Sequence, residues 1–242
     1  MKLYAVGLGP GEEAYLAPRA KAALLASDVI VGYTGYIELI PDLLKGKKVL
    51  ATGMTSEAER CEMAVNETLK GQTVSVVSSG DAGIYGMASL LYELAANQAG
   101  IEIEVVPGIT AAISAAAILG SPLTNDFAVI SLSDLLTPWD VIEKRLHAAA
   151  AADFVICLYN PQSKKRSDHL AKACAIALQY KQPETNCGYV KNAFRNLPGE
   201  TRILTLAELQ AAQVDMFTTV IIGNASTKVI KNKLVTTRGY RL

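Results

Sequence analysis

The sequence predicts an α/β protein with two domains, each a mainly parallel sheet flanked by helices. Short apolar or β-branched runs alternate with longer helical patterns along the whole chain, the order expected of parallel strands joined by crossover helices. A chain of 242 residues is long enough for one large domain or two small ones. Half of its residues are apolar and 19% are charged, which is typical of a protein with a substantial core.

The first predicted domain covers residues 1–119. Its strands are short apolar or β-branched runs, at Leu3–Val6, Asp28–Val31, Lys48–Leu50, Thr73–Ser78 and Glu102–Val106. Its helices are Ala-rich or amphipathic stretches, at Pro18–Ser27, Ser56–Lys70, Met87–Ala99 and Thr110–Leu119. Pro18 suits a first helical turn, and Glu57 and Glu59 are favourable at a helix N-terminus.

The second predicted domain covers residues 120–242, because the pattern restarts after the turn-rich stretch Gly120–Asp126. Its predicted strands are Ala128–Ser131, Phe154–Leu158, Cys187–Val190 and Thr219–Gly223. Its predicted helices are Trp139–Ala150, Asp168–Gln179 and Leu206–Gln210, and a hairpin-like tail ends the chain.

Composition disfavours several classes of protein. Twenty-three basic residues balance 23 acidic ones, so a non-specific nucleic-acid binder is not expected. No apolar run reaches about 18 residues, and the N-terminus reads as a strand rather than a signal peptide, so we expect a cytoplasmic protein with no membrane partner. The four cysteines form no CxxC pair, which predicts buried thiols and no metal site, and both histidines, His147 and His169, are expected at the surface.

Small and polar residues follow the predicted strands in five places. These loops are Gly7–Gly11, Ser78–Gly86, Pro107–Ala111, Tyr159–Pro161 and Gly223–Ser226. Ligands of open parallel sheets bind beyond the carboxyl ends of the strands, although turn chemistry alone also favours these residue types.

The first loop does not indicate a nicotinamide site. Its spacing is GxGxG, and Glu12 stands where a third glycine would fall, so its charge would repel a pyrophosphate. The second strand ends at Val31 and Gly32, with no acid for a ribose hydroxyl. The sequence also lacks the GxxxxGK[ST] loop of P-loop enzymes.

Three of these segments together resemble a known family. Val6–Gly11, Gly80–Gly86 and Pro107–Ala111 are similar to the cofactor loops of the S-adenosylmethionine-dependent tetrapyrrole methyltransferases of cobalamin and sirohaem synthesis, with Ala82 replacing the usual proline. The segments that most resemble the C17-methylating branch of that family are Gly32–Tyr36, Ser78–Gly86, Ile130–Trp139 and Tyr159–Pro161.

The resemblance covers essentially the whole chain and implies a fold, a reaction and partners. The fold would be the two-domain tetrapyrrole methyltransferase fold with a cofactor cleft between domains, usually as a homodimer. The reaction would be methylation of C17 of cobalt-precorrin-3 or precorrin-3B, with ring contraction by extrusion of C20. S-Adenosylmethionine would be the donor and S-adenosylhomocysteine the product, and cobalt would enter only as part of the substrate.

The expected cofactor-binding residues lie in these loops. They are Pro10, Gly80, Asp81, Gly83, Ile84, Thr110, Ala111, Tyr159, Asn160, Gly223, Asn224 and Ala225. Glycines allow the backbone to approach a ligand closely, and the first N–H groups of a helix suit a carboxylate or an adenine acceptor. Asp81 would bind a ribose hydroxyl or the amino group; its alternative role is to cap the following helix. The resemblance implies a cofactor contact at position 159, where the family often has methionine.

Ring contraction also requires proton movement. Asp134, with Ser131 and Ser133, is the expected acid–base cluster, and its alternative role is a cap before the helix that starts at Trp139. Basic residues after strand ends are candidates for binding substrate carboxylates, or else solvated surface charges: Lys164, Lys165, Arg166, Lys191, Arg195 and Lys228. A sister methyltransferase and a non-catalytic small-molecule-binding protein are the alternative functions.

Overall fold

A computed structural model describes residues 1–195 and 197–241. The chain forms two compact units, Met1–Ala111 with Phe194–Asn196, and Ala112–Ala193 with Leu197–Leu242. The sequence-based boundary between residues 119 and 120 falls at the end of a helix that the structure assigns to the second unit. Among the described residues, no helix combines the length and the hydropathy that crossing a bilayer requires.

The first unit is built on a parallel sheet. Its strands are β1 (Lys2–Gly7), β2 (Val29–Tyr33), β3 (Lys48–Thr52), β4 (Val74–Ser78) and β5 (Glu102–Val106), in the order β3-β2-β4-β1-β5. Its helices are α1 (Pro18–Ala26), α2 (Thr34–Ile37), α3 (Glu57–Leu69) and α4 (Ala88–Ala95). The α/β class and the parallel direction predicted for this half are confirmed.

Both faces of this sheet are covered. Leu3 and Val76 pack with Leu91 of α4 on one face, whereas Val6 and Ile30 pack with α1 on the other. A strand buried on both faces needs apolar residues at every position, which is why these strands read as continuous apolar runs without alternation. The sheet therefore places the loops after its strands at one fixed edge.

The second unit contains two sheets. Its elements, in chain order, are α5 (Ala111–Leu119), β6 (Gly120–Ser121), β7 (Phe127–Ser131), α6 (Trp139–Ala151), β8 (Val155–Tyr159), α7 (His169–Ala177), β9 (Asn186–Lys191), β10 (Glu200–Thr205), α8 (Leu206–Gln210), β11 (Thr218–Ile222), β12 (Thr227–Ile230) and β13 (Lys233–Thr236). The larger sheet has the order β10-β9-β11-β8-β7. The smaller sheet has the order β12-β13-β6, in which β12 and β13 form an antiparallel hairpin and β6 pairs in parallel with β13.

The prediction of a mainly parallel sheet is wrong for this second unit. Of the pairings described in the larger sheet, β7–β8 is the parallel one, whereas β11 runs antiparallel to β8 and to β9, and β10 runs antiparallel to β9. A buried antiparallel strand such as β11 carries the same unbroken apolar run as a parallel one, so the pattern did not distinguish the two directions. The carboxyl ends of β7, β8 and β9 consequently share one edge, and β11 ends at the opposite edge.

The cysteines are free and buried, as the sequence predicts for their thiols. Burial raises the pKa of Cys61 to about 11 and that of Cys157 and Cys187 to about 12. Such thiols are packing residues rather than nucleophiles, because the reactive species is the thiolate.

Candidate functional site

Three glycine-containing loops meet at the carboxyl edge of the first sheet. Because β1 lies between β4 and β5, the loops that follow these strands are neighbours. The N–H of Gly9 donates to the carbonyl of Gly80 at 3.0 Å, and the N–H of Gly80 donates to the carbonyl of Gly9 at 2.7 Å. The loops after β1 and β4 are thus joined by a pair of backbone hydrogen bonds.

The crossing of these loops leaves no room for side chains. A Cβ on Gly108 would lie 2.2 Å from the carbonyl oxygen of Gly80, and one on Gly7 would lie 2.7 Å from the backbone nitrogen of Gly108. Gly80 also has a φ of +70°, a conformation that residues with a Cβ rarely adopt. The sequence therefore needs glycine at these positions so that the loops can cross with backbone against backbone.

Asp81 ties two of these loops together. Its Oδ1 accepts a hydrogen bond from the N–H of Gly83 at 2.8 Å, and its Oδ2 accepts one from the N–H of Gly108 at 2.9 Å. The alternative role as a helix cap is wrong, because α4 begins at Ala88 and its N-cap residue is Met87, with no side-chain cap. A carboxylate has about four lone-pair sites, so Asp81 retains acceptor capacity for a ligand.

Arg195 joins the first unit at the same edge. Its Nε donates to the carbonyl oxygen of Pro10 at 3.1 Å, and its Nη2 donates to Ser79 Oγ at 2.8 Å. Burial lowers the pKa of Arg195 below its usual value. Sequence reasoning placed Arg195 only in the second half, because nothing local indicates that residues 194 and 195 return to the first unit.

The remaining predicted residues of this unit also lie at that edge. Ile84 is 41% exposed, next to Gly83 in the loop after β4. Thr110 follows the Gly108 turn, and Ala111 is the first residue of α5. The first unit therefore brings together Pro10, Gly80, Asp81, Gly83, Ile84, Thr110 and Ala111, because they belong to loops that follow parallel strands at one edge of the sheet.

In the second unit, Tyr159 is the last residue of β8 and Asn160 follows it. The Tyr159 hydroxyl accepts the N–H of Ala112 in the first turn of α5 at 2.7 Å, so the protein itself occupies one of the N–H groups expected to bind a ligand. Asn160 has a φ of +52°, and its Nδ2 donates to Ser131 Oγ at 3.0 Å. Asparagine adopts left-handed backbone more readily than most residues with a side chain, which suits the turn that ends this strand.

Asp134 lies in a polar cluster after β7. Its Oδ2 is 3.1 Å from His169 Nε2, and its Oδ1 is 3.9 Å from Arg166 Nη1. Arg166 Nη1 also donates to Ser133 Oγ, and the Ser133 N–H donates to Ser131 Oγ at 3.2 Å. The structure thus brings together the predicted acid–base residues Asp134, Ser131 and Ser133.

The charge on Asp134 is stabilised within this cluster. Burial acts to raise its pKa, but the hydrogen bond with His169, a backbone N–H and the charge of Arg166 together lower it below the usual value. The alternative role as a cap of α6 is wrong, because the N-cap residue is Pro138 and no side chain caps that helix.

His169 is a site residue that sequence reasoning missed. It was expected at the surface, but it is only 7% exposed and lies between Asp134 and Asp168. The preceding Asp168 was visible in the sequence, whereas the contact with Asp134 depends on the tertiary pairing of β7 and β8. The other histidine, His147, contacts the hydroxyl of Tyr180.

Gly223, Asn224 and Ala225 do not lie with Tyr159 and Asn160. Because β11 is antiparallel to β8, Ile222 pairs with Ile156, and the loop after β11 lies at the amino end of β8. There the N–H of Ala225 donates to Asp153 Oδ2 at 3.1 Å. The expectation that these three residues share the edge of Tyr159 is therefore wrong.

The basic residues proposed for substrate carboxylates are dispersed. Lys191 pairs with Asp215 at 2.7 Å, and Lys228 lies within β12 of the smaller sheet. Arg166 alone of these candidates in the described part of the second unit contacts the Asp134 cluster.

Comparisons with known proteins place these features in context. A family model described as "Tetrapyrrole (Corrin/Porphyrin) Methylases" matches residues 2–210. A "Probable cobalt-factor III C(17)-methyltransferase" from Salmonella typhimurium is 46% identical over 241 residues, covering 99% of this chain and 100% of that protein. A "Cobalt-factor III methyltransferase" from Priestia megaterium is 44% identical over 99% of this chain, which spans 45% of that protein's length.

Solved structures are similar over the same extent. The crystal structure of the methyltransferase CobJ matches with a TM-score of 0.89 and 35% identity, and covers 98% of each chain. A uroporphyrin-III C-methyltransferase from Thermus thermophilus, solved with S-adenosylhomocysteine, matches with a TM-score of 0.71 and 18% identity over 92% of each chain. At 18% identity, the similarity to the Thermus thermophilus enzyme shows a shared fold and nothing more.

Proposed function

This chain belongs to the tetrapyrrole (corrin/porphyrin) methylase family, and we propose that it methylates C17 of cobalt-precorrin-3 or precorrin-3B and contracts the macrocycle in cobalamin biosynthesis. The observation that carries the proposal is similarity over nearly the full chain to proteins named for C17 methylation. The family consists of S-adenosylmethionine-dependent methyltransferases, so the chain is a methyltransferase of that kind.

The loops of the first unit fit an S-adenosylmethionine molecule. Gly7 and Gly108 let the loops cross with backbone against backbone, and Asp81 lies at this crossing, bonded to the Gly108 N–H. The Asp81 carboxylate is partly exposed and keeps acceptor sites for a ribose hydroxyl or an amino group of the ligand. When bound, S-adenosylmethionine supplies the methyl group that the reaction transfers.

We assign cofactor binding in the first unit to the seven predicted residues that its loops bring together. They are Pro10, Gly80, Asp81, Gly83, Ile84, Thr110 and Ala111. For Tyr159 and Asn160, cofactor contact stays a prediction that rests on the family resemblance. Gly223, Asn224 and Ala225 are not included, because they lie at the opposite edge from Tyr159.

Methyl transfer from a sulfonium to carbon is an in-line displacement. The electron-rich macrocycle supplies the nucleophile, so the protein contributes orientation, which is worth about 7–11 kcal/mol for well-aligned reactants. Ring contraction further needs a group that exchanges protons. We propose Asp134 for this role, supported by Ser131 and Ser133, because its carboxylate is ionised, 37% exposed and already held by hydrogen-bond partners.

The proposal includes the setting of the reaction. Cobalt, where present, is part of the substrate; within the described residues, no group of three metal-ligating side chains is found. We also propose that the protein works as a homodimer in the cytoplasm, as the resemblance and the buried free thiols favour.

The test is a reconstituted reaction. Purified protein is incubated with S-adenosylmethionine and the C20-methylated tetrapyrrole, with and without cobalt, and products are followed by mass and absorption spectra. A gain of one methyl group at C17, with the spectrum of a contracted ring, is expected. Methylation at another carbon would instead identify a sister methyltransferase, and cofactor binding without any product would identify a non-catalytic binding protein.

Asp134→Asn is the matched variant for the proton-transfer role. It preserves the shape of the side chain and removes the ionisable group, so turnover should fall by about 10²–10⁴-fold while cofactor affinity is retained. Wild-type turnover by a folded Asp134→Asn protein would exclude Asp134 as the acid or base.

A further inference from the structure

His169 is enclosed by two carboxylates from different parts of the second unit. Its Nε2 lies 3.1 Å from Asp134 Oδ2, and its Nδ1 lies 3.1 Å from Asp168 Oδ1. Its side chain is 9% exposed, against 37% for Asp134. His169 is thus covered, and Asp134 is the member of the pair that reaches the surface.

Both ring nitrogens of His169 have a carboxylate oxygen within hydrogen-bond distance, so the ring is held from two sides. The ionisable groups around the ring are Asp134 from the loop after β7 and Asp168 from the start of α7. Arg166, 3.9 Å from Asp134, and Lys172, 2.7 Å from Asp168, stand behind them.

Helix α6 contributes one aromatic side chain, Trp139, that packs against His169. The Trp139 ring meets the His169 ring edge-on, with centroids 4.7 Å apart, and Lys172 Nζ lies 5.6 Å from the Trp139 centroid. The His169 ring is therefore fixed in orientation by one aromatic contact and two hydrogen-bond partners.

We propose that His169 is a positioning residue for Asp134: it holds Oδ2 of the carboxylate by a charged hydrogen bond and thereby presents Oδ1, beside Arg166, to the substrate macrocycle. This inference rests on the proposed function, in which Asp134 exchanges protons with the substrate. Hydrogen bonds to charged groups are about twice as strong as neutral ones, which is what keeping one carboxylate oxygen in place requires. His169 acts through Asp134 and does not itself touch the substrate.

The first test needs no substrate. Trp139 is the chain's one tryptophan, and its ring lies edge-on to the His169 ring, so Trp139 emission at one fixed pH reports the position of that ring. Asp134→Ala removes the carboxylate beside Nε2, so the His169 ring should move and the Trp139 emission should change. His147→Gln is the matched control and should leave the emission unchanged, because His147 contacts Tyr180. Unchanged emission in Asp134→Ala would overturn the inference.

The second test compares two uncharged replacements. The amide of Gln reaches the place of Nε2 and can still donate to Asp134, whereas the shorter Asn reaches only the place of Nδ1, near Asp168. We expect His169→Asn to reduce kcat at least tenfold, with His169→Gln retaining more activity and S-adenosylhomocysteine affinity unchanged in both. In His169→Gln the acid limb of the kcat profile should move to higher pH, since Asp134 loses its charged partner.

A double variant separates positioning from an independent role. If His169 works through Asp134, His169→Asn should cause no further loss of kcat in an Asp134→Asn background. A double variant whose loss of kcat equals the product of the two single losses would overturn the inference. So would a His169→Asn protein with the kcat and the pH profile of the unsubstituted protein. Failure of the unsubstituted protein to methylate the tetrapyrrole would contradict the proposed function instead, and the fluorescence test still decides whether His169 and Asp134 are coupled.

Discussion

Replacing Asp81 with alanine tests the organisation of the cofactor loops. The substitution removes the acceptor for the N–H groups of Gly83 and Gly108, which donate at 2.8 and 2.9 Å. Gly83 is exposed, so water replaces the carboxylate there, whereas Gly108 is partly buried and loses a hydrogen bond to a charged group. That loss lowers stability. A ligand group that donates to the remaining acceptor sites of Asp81 also loses a hydrogen bond to a charged group, worth about 1.5–3 kcal/mol, so S-adenosylhomocysteine affinity should fall about 10- to 100-fold.

The measurement is calorimetric titration of S-adenosylhomocysteine together with urea unfolding. Asp28→Ala is the matched control, because Asp28 Oδ2 accepts the N–H of Thr73 at 2.8 Å at the opposite edge of the same sheet. This control should lose stability and keep its affinity for the ligand. An Asp81→Ala protein that is folded and binds with wild-type affinity would refute the assignment of Asp81 to the cofactor site.

Three further outcomes follow from the structure. Gly108→Ala should abolish S-adenosylhomocysteine binding in calorimetry, because its Cβ would lie 2.2 Å from the Gly80 carbonyl oxygen, whereas Gly53→Ala, with open space around it, should bind normally. Ellman's reagent at pH 8 should label the cysteines only after unfolding, since burial raises their pKa; rapid labelling of the native protein would contradict this. Burial acts to raise the pKa of Asp215, but its hydrogen bonds, including the one from Lys191, lower it below the usual value. The carboxylate therefore stabilises the fold fully above pH 3.8, and this contribution is lost as the pH falls through the lower folded-state pKa. The free energy of unfolding in urea should depend less steeply on pH between about pH 5 and 2 in Asp215→Asn than in the unsubstituted protein.

The strand directions show where the sequence pattern was sufficient. In the first unit, long helical stretches separate the apolar runs, and such crossovers impose parallel pairing between β1, β4 and β5. In the second unit, β9 and β10 are joined by a short connection, and β11 follows a short helix, so antiparallel pairing is available. Apolar composition alone does not distinguish a parallel from an antiparallel buried strand. Because β11 was predicted to be parallel, Gly223 was predicted at the wrong edge of the sheet.

The acid–base cluster shows the same division. Asp134, Ser131 and Ser133 were identified from a local segment, because residues close in sequence at the end of one strand necessarily lie near each other. His169 belongs to a different helix, and it reaches Asp134 only because β7 and β8 pair in register. The sequence predicted the site residues that lie within one segment, and it did not predict the contact between two distant segments.

The sequence by itself determined the α/β class, the glycine loops after β1, β4 and β5, and the family, because all three depend on residue types at fixed local spacing. Tertiary structure alone decided that Asp81 bridges two loops, that Arg195 returns to the first unit, and that His169 is buried between two carboxylates. The physical reason is that hydrogen bonds and burial depend on which strand edges meet, and strand order and direction are set by packing of the whole chain rather than by any local segment.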